Sequence, residues 1–156
     1  MVRARVRGVR HDWALILEGH TRGTADVTAL EARLGVALPP SYRSLLLVSD
    51  GIDEMLWPAA EVGWVREVSP ERVVGASGYE IPPPGDPLLS YDPARSEDDI
   101  PPDYMPAMLQ IGDYDGEILL NPLVQNDEGE WEAFHLGSWR GEVLRAPSFR
   151  DLWDDL

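Results

Sequence analysis

Leu30-Glu-Ala-Arg-Leu-Gly-Val-Ala-Leu-Pro-Pro-Ser-Tyr42 is the stretch that says most about how this chain folds. Its two leucines before the glycine are spaced as on one face of a helix, and Gly35 is the residue type that commonly ends a helix in the left-handed conformation. Pro39-Pro40 suits the first turn of a following helix, where a proline has no needed N–H to lose. The stretch therefore predicts two consecutive helices, the second ending at Asp50-Gly51.

Capping residues indicate where the other helices begin. The first helix of this pair starts after Thr24, or one turn later if Thr28 and Glu31 form a capping box. A short helix before it is predicted from a cap at Asp12 to Leu17. Ser148 opens a last helix in capping-box form, so helices stand at both ends of the chain.

Between these helices the sequence is typical of strands. Asp115-Gly116 separates two short apolar runs and predicts a tight hairpin. The predicted strand segments are Val62–Val68, Met108–Ile111, Ile118–Leu120, Trp131–Leu136 and Val143–Arg145, with Trp139 extending the sheet, while Glu71–Ala76 fits a short helix or a strand. The fold class that follows is α+β, a mostly antiparallel sheet with helices from both chain ends packed around it.

Proline marks the exception to this regular pattern. Residues 82–106 hold eight of the 14 prolines, and such a segment cannot form an inner strand or a helix, so we predict a long surface loop. We expect residues 1–10 to be a basic N-terminal extension and residues 11–156 to be a single domain containing that loop.

Length and composition exclude several classes of protein. A chain of 156 residues can bury a stable core without disulfides or structural metal ions. The absence of Cys excludes disulfides and thiol nucleophiles. The apolar run after the basic N-terminus is too short for a secretory signal, and no stretch is long enough to span a membrane. These features predict a soluble, cytoplasmic protein.

The charge of −15 is unevenly distributed. Residues 1–43 carry a net charge of +3, so residues 44–156 carry −18, and all 13 bases are Arg. Binding to nucleic acid or to an anionic membrane needs cationic patches, so neither is expected. The acidic blocks form either a solvated face or a docking surface for a basic partner.

No motif for catalysis or for a cofactor stands out. The Asp113-Tyr-Asp115-Gly-Glu117 segment begins like a calcium loop, but Ile118 and Val124 stand where such a loop needs Gly and Glu, so a hairpin turn is favoured. The three His lack the spacing of a helical zinc motif, and Ser77 lacks a nucleophile elbow. We therefore expect no cofactor, no metal and no enzymatic activity.

Most of the six Trp are expected in the core, with one or two exposed as alternative binding anchors.

The quoted stretch, followed by Leu45-Leu46 and Asp50-Gly51, resembles the signature of the SUKH superfamily, the Smi/Knr-like proteins. The signature residues are Leu30, Glu31, Leu34, Gly35, Leu38, Pro39, Tyr42 and Gly51. Further resemblance lies in Leu119–Pro122, in Gly129–Ala133 and in Ser148-Phe149, so it covers Trp13 to Trp153. The Pro-rich segment and the first ten residues lie outside it.

This resemblance implies a non-enzymatic protein-binding module. Bacterial domains of this type resemble immunity proteins that neutralise a cognate polymorphic toxin, often a nuclease, and fungal relatives act in cell-wall regulation. The expected partner is a basic toxin domain, and the alternative is a regulatory or scaffolding module. The predicted contact residues are Glu97, Asp98, Asp99 and Asp103 in the loop, and Asp113, Asp115 and Glu117 at the hairpin.

Overall fold

The computed structural model describes residues 13–19, 22–73, 83, 85–94, 102–137 and 143–156. The helices in these ranges are α1 (Trp13–Ile16), α2 (Val27–Leu34), α3 (Pro40–Leu46), α4 (Val65–Val68) and α5 (Phe149–Asp155). The strands are β1 (Gly63–Trp64), β2 (Leu109–Asp113), β3 (Gly116–Gln125), β4 (Trp131–Gly137) and β5 (Val143–Ala146). Short 3₁₀ helices cover Pro70–Val73, Pro87–Leu89 and Pro102–Ala107. The predicted α+β class is confirmed.

Two of the predicted helix caps are confirmed, but α3 ends at Leu46, before its predicted end at Asp50-Gly51, and the alternative start of α2 at Thr28 is not used. Gly35 ends α2 in the left-handed conformation with φ of 73°, and the Ser148 hydroxyl accepts a hydrogen bond from the Asp151 N–H at 3.1 Å. The capping box at Thr28 does not form, because Asp26 already accepts the Ala29 N–H at 2.9 Å and starts α2 one residue later.

The five strands form one antiparallel sheet in the order of the chain. β3 is the longest strand and pairs with β2 on one side and with β4 on the other. Its pairing with β4 is interrupted between Asn121 and Gln125, where the register shifts. Because each strand follows its neighbour directly, the sheet is a meander with β1 and β5 at its edges.

One face of the sheet carries the larger core. Leu109, Ile111, Ile118 and Leu120 project from β2 and β3 into a buried cluster with residues of α1, α2, α3 and α5. The side chains of Tyr42, Leu45 and Leu46 from α3 are fully buried in this cluster, as are those of Phe149 and Leu152 from α5. The helices from both chain ends therefore pack against the sheet, and they do so on the same face.

The opposite face carries a smaller cluster and a polar group of side chains. Leu119 and Phe134 pack there against Val65, Tyr104 and Met108. Next to them the Asn121 amide donates to the Glu132 carboxylate at 3.2 Å, and the Arg145 guanidinium pairs with the same carboxylate. Both sheet faces are thus covered, so the sheet forms the middle layer of the domain.

The prediction of one strand over Val62–Val68 is wrong. Only Gly63 and Trp64 pair with β2, and α4 begins at the next residue. Val65 and Val68 are one helical turn apart, and Val65 is buried against the second face. Gly63 allows this reversal, since a Cβ there would lie 2.6 Å from a Val68 methyl carbon.

The Pro-rich segment contains only 3₁₀ helices within its described parts. Among the described tryptophans, Trp13, Trp64 and Trp131 are buried and Trp57 and Trp153 are partly buried, which confirms the core prediction for them. Several predicted features lie outside the described residues: the 1–10 extension, the Asp12 cap, Ser77 and Trp139. None of the helices in the described ranges has the length and apolarity needed to cross a bilayer.

Candidate functional site: a partner-binding surface

The turn between β2 and β3 places acidic side chains at one end of the sheet. Tyr114 and Asp115 form the turn, and the Tyr114 N–H donates to the Gly116 carbonyl at 2.9 Å. Asp115 has φ of 52° and Gly116 has φ of 136°. A Cβ at Gly116 would collide with the Leu136 carbonyl, so this position requires glycine. The hairpin predicted from Asp115-Gly116 is confirmed.

The three predicted acidic residues of this turn are brought together but differ in their surroundings. Asp113 and Asp115 are exposed. Glu117 lies opposite Asp113 in the β2–β3 register and pairs with the Arg72 guanidinium from the Pro70–Val73 helix. Like charges opposite each other in a sheet repel, so Arg72 offsets this repulsion. Asp113 and Asp115 are therefore the more accessible carboxylates of the turn.

The acidic residues predicted in the Pro-rich segment are placed differently. Asp103 lies in the Pro102–Ala107 helix, which precedes β2, whereas Asp113 ends that strand. All five residues of β2 therefore lie between Asp103 and the turn along the chain. Glu97, Asp98 and Asp99 lie outside the described residues.

A shallow groove runs beside the turn, and sequence reasoning missed it. It is lined by Arg22, Ile52, Asp53, Glu54, Met55 and Tyr114. Tyr114 is 49% exposed, and Asp53 and Glu54 are exposed as well. Tyr114 lies between two aspartates in a predicted hairpin turn, and this position could have identified it. An aromatic side chain in such a turn is too far from the core to be buried there.

Hydrogen bonds hold both walls of this groove to the sheet. Ile52 and Leu56 exchange backbone hydrogen bonds of 2.9 and 3.0 Å, and the Trp57 N–H donates to the Ile111 carbonyl at 2.9 Å. On the other wall, the His135 Nε2 donates to the Tyr114 carbonyl at 2.7 Å, since a carbonyl oxygen can only accept. The exposed Tyr114 ring therefore stands on a fixed backbone.

The signature residue Glu31 joins α2 to α3. Its carboxylate accepts the Leu38 N–H at 3.0 Å and the Arg43 Nε–H at 3.2 Å. The chain between the two helices is thereby fixed, and Leu38 is buried in the larger core. Glu31 acts in this fold as a structural residue.

A carboxylate from the other half of the chain caps α3. Pro39 precedes this helix and offers no side-chain cap. Instead Glu130 accepts the Ser41 N–H and the Ser41 hydroxyl, each at 2.8 Å. Glu130 is only 8% exposed, so burial raises its pKa above the ordinary value of 4.5, although the two Ser41 hydrogen bonds oppose the rise.

The Glu130 carboxyl gives a testable pH dependence. Because its pKa is higher in the folded protein than in the unfolded chain, the folded protein binds this proton more tightly. Its contribution to stability is therefore complete below the unfolded pKa and is lost as pH rises through the folded pKa. We expect wild type to gain stability relative to Glu130→Gln as pH falls from neutrality toward 4.5, measured by urea unfolding at several pH values. A stability difference that stays constant with pH would contradict this assignment.

Two further signature residues serve the same junction. Tyr42 is fully buried in contact with Phe149, their ring centroids 5.3 Å apart, and burial raises the pKa of its hydroxyl far above the ordinary range. Gly51 has φ of 84°, and a Cβ there would lie 2.6 Å from the Leu56 carbonyl oxygen. The signature is therefore explained by packing of helices on the sheet.

Within the described ranges, no group of three or more His, Asp or Glu side chains is placed to hold a metal ion.

What the described residues do form is an α+β domain whose signature fixes two helices on a meander sheet and whose acidic hairpin projects from one end. This combination defines a domain of the SUKH type. The chain belongs to the SMI1/KNR4 family (SUKH-1), whose family model matches residues 24–155. The resemblance inferred from the Leu30–Tyr42 stretch is thus confirmed. Searches of curated proteins and of solved structures gave no match.

Proposed function

We propose that this protein is a cytoplasmic, non-enzymatic immunity protein that binds a cognate toxin domain, a nuclease, through its acidic surface. Membership of the SUKH-1 family supports the proposal, because the resemblance of bacterial members to toxin-immunity proteins suggests this role. The structural observation that carries it is the β2–β3 turn, where Asp113 and Asp115 are exposed on a hairpin fixed by hydrogen bonds.

Electrostatics provides the physical reason for this choice of partner. A nuclease presents a cationic groove to its substrate, so an acidic protein can occupy the same groove and block it. The charge of −18 on residues 44–156 would steer such a partner from a distance and raise its association rate. Glu97, Asp98, Asp99 and Asp103 belong to the proposed contact surface together with Asp113, Asp115 and Glu117.

The first experiment is a pull-down with the full chain from cells of its native strain, at low and at high salt, followed by mass spectrometry. We expect one basic partner containing a toxin domain, retained at low salt and released at high salt. Capture of regulatory or cell-envelope proteins with no toxin among them would instead favour the alternative, a regulatory or scaffolding module.

With that partner in hand, neutralising the turn gives a quantitative test. We expect Asp113→Asn with Asp115→Asn to weaken binding about tenfold, which corresponds to about 1.4 kcal/mol, mainly through slower association. The loss should shrink as salt is added, because screening weakens the wild-type attraction. Surface plasmon resonance at several salt concentrations measures both rate constants.

The β3–β4 loop offers a matched control. Asp127→Asn with Glu128→Gln removes the same charge from two exposed residues beyond the other end of β3, about 30 Å from the turn. This control should bind nearly as wild type does. If both double variants lost affinity equally, only the net charge would matter, and if neutralising all seven predicted residues left affinity intact, the acidic surface would not be the binding site.

A further inference from the structure

The groove beside the β2–β3 turn combines an exposed aromatic ring with a fixed backbone. Tyr114 is one of the most exposed large hydrophobic side chains among the described residues, at 49%. Its N–H is bonded to Gly116 and its carbonyl to His135, so the backbone that carries the ring is already ordered before a partner covers it. Rigid, exposed tyrosines of this kind often contribute most to an interface.

The opposite wall is equally well defined. Gly112 of β2 lies against the backbone of Met55 and Leu56, so close that a Cβ at Gly112 would collide with the Met55 carbonyl. Leu56 also bridges to Gly112 in the sheet. The Ile52–Leu56 turn is thereby attached to the same sheet edge as Tyr114, and the groove between them keeps its width.

Charge and shape together indicate what the groove accepts. Asp53 and Glu54 lie on one wall and Tyr114 on the other, whereas Asp113 and Asp115, the neighbours of Tyr114 in the chain, line a separate depression with Arg72. Arg22 is the cation among the described residues that line the groove, and it donates to the Asp53 carbonyl at 3.1 Å. The apolar lining and the surplus of carboxylates suit a long side chain with a cationic end.

An arginine side chain fits these requirements better than a lysine. Its planar guanidinium can stack on the tyrosine ring while its N–H groups point sideways to carboxylates, whereas an ammonium group is a compact point charge. The described part of the domain uses this stacking elsewhere, for example with Arg66 over Trp64 at 5.1 Å and Arg145 over Tyr91 at 5.3 Å.

We propose that the groove between Tyr114 and the Ile52–Leu56 turn is the anchor site for an arginine side chain of a basic protein partner. This proposal rests on the proposed function for the identity of the partner, and it names the residue that carries the largest share of the binding energy. Tyr114 stacks on the guanidinium, and the carboxylates of Asp53 and Glu54 on the opposite wall accept its hydrogen bonds.

A test without the partner uses N-acetyl-arginine amide as the probe. Its titration into the ¹⁵N-labelled full chain should shift the amide signals of Tyr114, Asp53 and Met55 and leave those of the β3–β4 loop unchanged. The neutral isostere N-acetyl-citrulline amide should give shifts at least about tenfold smaller at equal concentration, because it lacks the charge. Equal shifts with both probes, or no shift at the groove, would overturn the proposal.

A second test uses the toxin partner. Tyr114→Ala should lose about thirtyfold in affinity, as expected for an interface anchor, whereas Tyr114→Phe should stay within about threefold because the ring remains. Leu156→Ala, which truncates another exposed side chain (40%) outside the groove, is the control and should bind as wild type does. If Tyr114→Ala bound normally while the Asp113/Asp115 variant did not, the groove proposal would fail and the proposed function would stand. If wild type captured no toxin, the proposed function would fail, and the arginine titration would still decide the groove.

Discussion

Replacement of Arg145 by Met is expected to reduce the free energy of unfolding by about 3–5 kcal/mol. The Arg145 guanidinium pairs with the Glu132 carboxylate, and both side chains are largely buried, with exposed fractions of 10% and 2%. Without Arg145, Glu132 keeps a buried charge that neutral donors such as the Asn121 amide compensate poorly. Urea unfolding followed by tryptophan fluorescence measures the loss.

Two controls separate this charge effect from simple truncation. Arg66→Met removes an exposed guanidinium that donates to the Pro106 carbonyl at 3.0 Å, and it should cost less than about 1 kcal/mol. Arg145→Met combined with Glu132→Gln leaves neither partner of this pair charged and should recover a large part of the lost stability. A double variant no more stable than Arg145→Met would show that the side-chain packing of Arg145, and not its charge, is what matters.

Replacement of Phe149 by Ala is expected to cost about 3–5 kcal/mol, because a fully buried ring would leave a cavity. Its ring lies 5.7 Å from that of Trp13 and 5.3 Å from that of Tyr42, centroid to centroid. Phe149 thus connects α5 to α1 and to α3. Loss of this ring should lower the thermal midpoint by about 6–20 °C, since about 1 kcal/mol shifts a domain of this size by about 2–4 °C.

Phe149→Leu is the matched control, because it keeps most of the apolar volume. We expect it to cost no more than about 1.5 kcal/mol. Differential scanning calorimetry compares the two variants under the same conditions. Equal destabilisation by Ala and by Leu would mean that the aromatic contacts, rather than the filled volume, hold the three helices together.

Local signals in the sequence predicted the parts of the fold that neighbouring residues determine. Gly35 and Ser148 marked helix ends correctly, because each cap is completed within a few residues. Asp115-Gly116 marked the hairpin, since its backbone conformation depends on these residues themselves. Val62–Val68 was predicted wrongly, because an apolar run of this length suits either a strand or a helix. The tertiary structure decides between them, since Val65 packs from a helix onto the second face of the sheet.

In the candidate site, too, only the part that is formed by neighbouring residues could be predicted from the sequence. Asp113, Asp115 and Glu117 are close in sequence and therefore close in space, so their grouping was predictable. The pairing of Glu117 with Arg72 was not, since it joins residues 45 positions apart through the sheet. The groove was also missed, because its walls come from the Ile52–Leu56 turn and from Tyr114, which meet only when Leu56 bridges to Gly112.

By itself, the sequence determined the family, the α+β class, the order of the helices and strands other than α4, and the acidic character of the hairpin. The family follows from the resemblance of the Leu30–Tyr42 stretch to the SUKH signature, and the other properties follow from spacing, capping and composition, which act between residues near each other in the chain. The tertiary structure alone decided that Glu130 caps α3, that Arg145 neutralises Glu132, and that Tyr114 faces a groove. Such contacts join distant segments, and their partners are set by which sheet face each strand residue occupies and by which buried polar groups must then be satisfied.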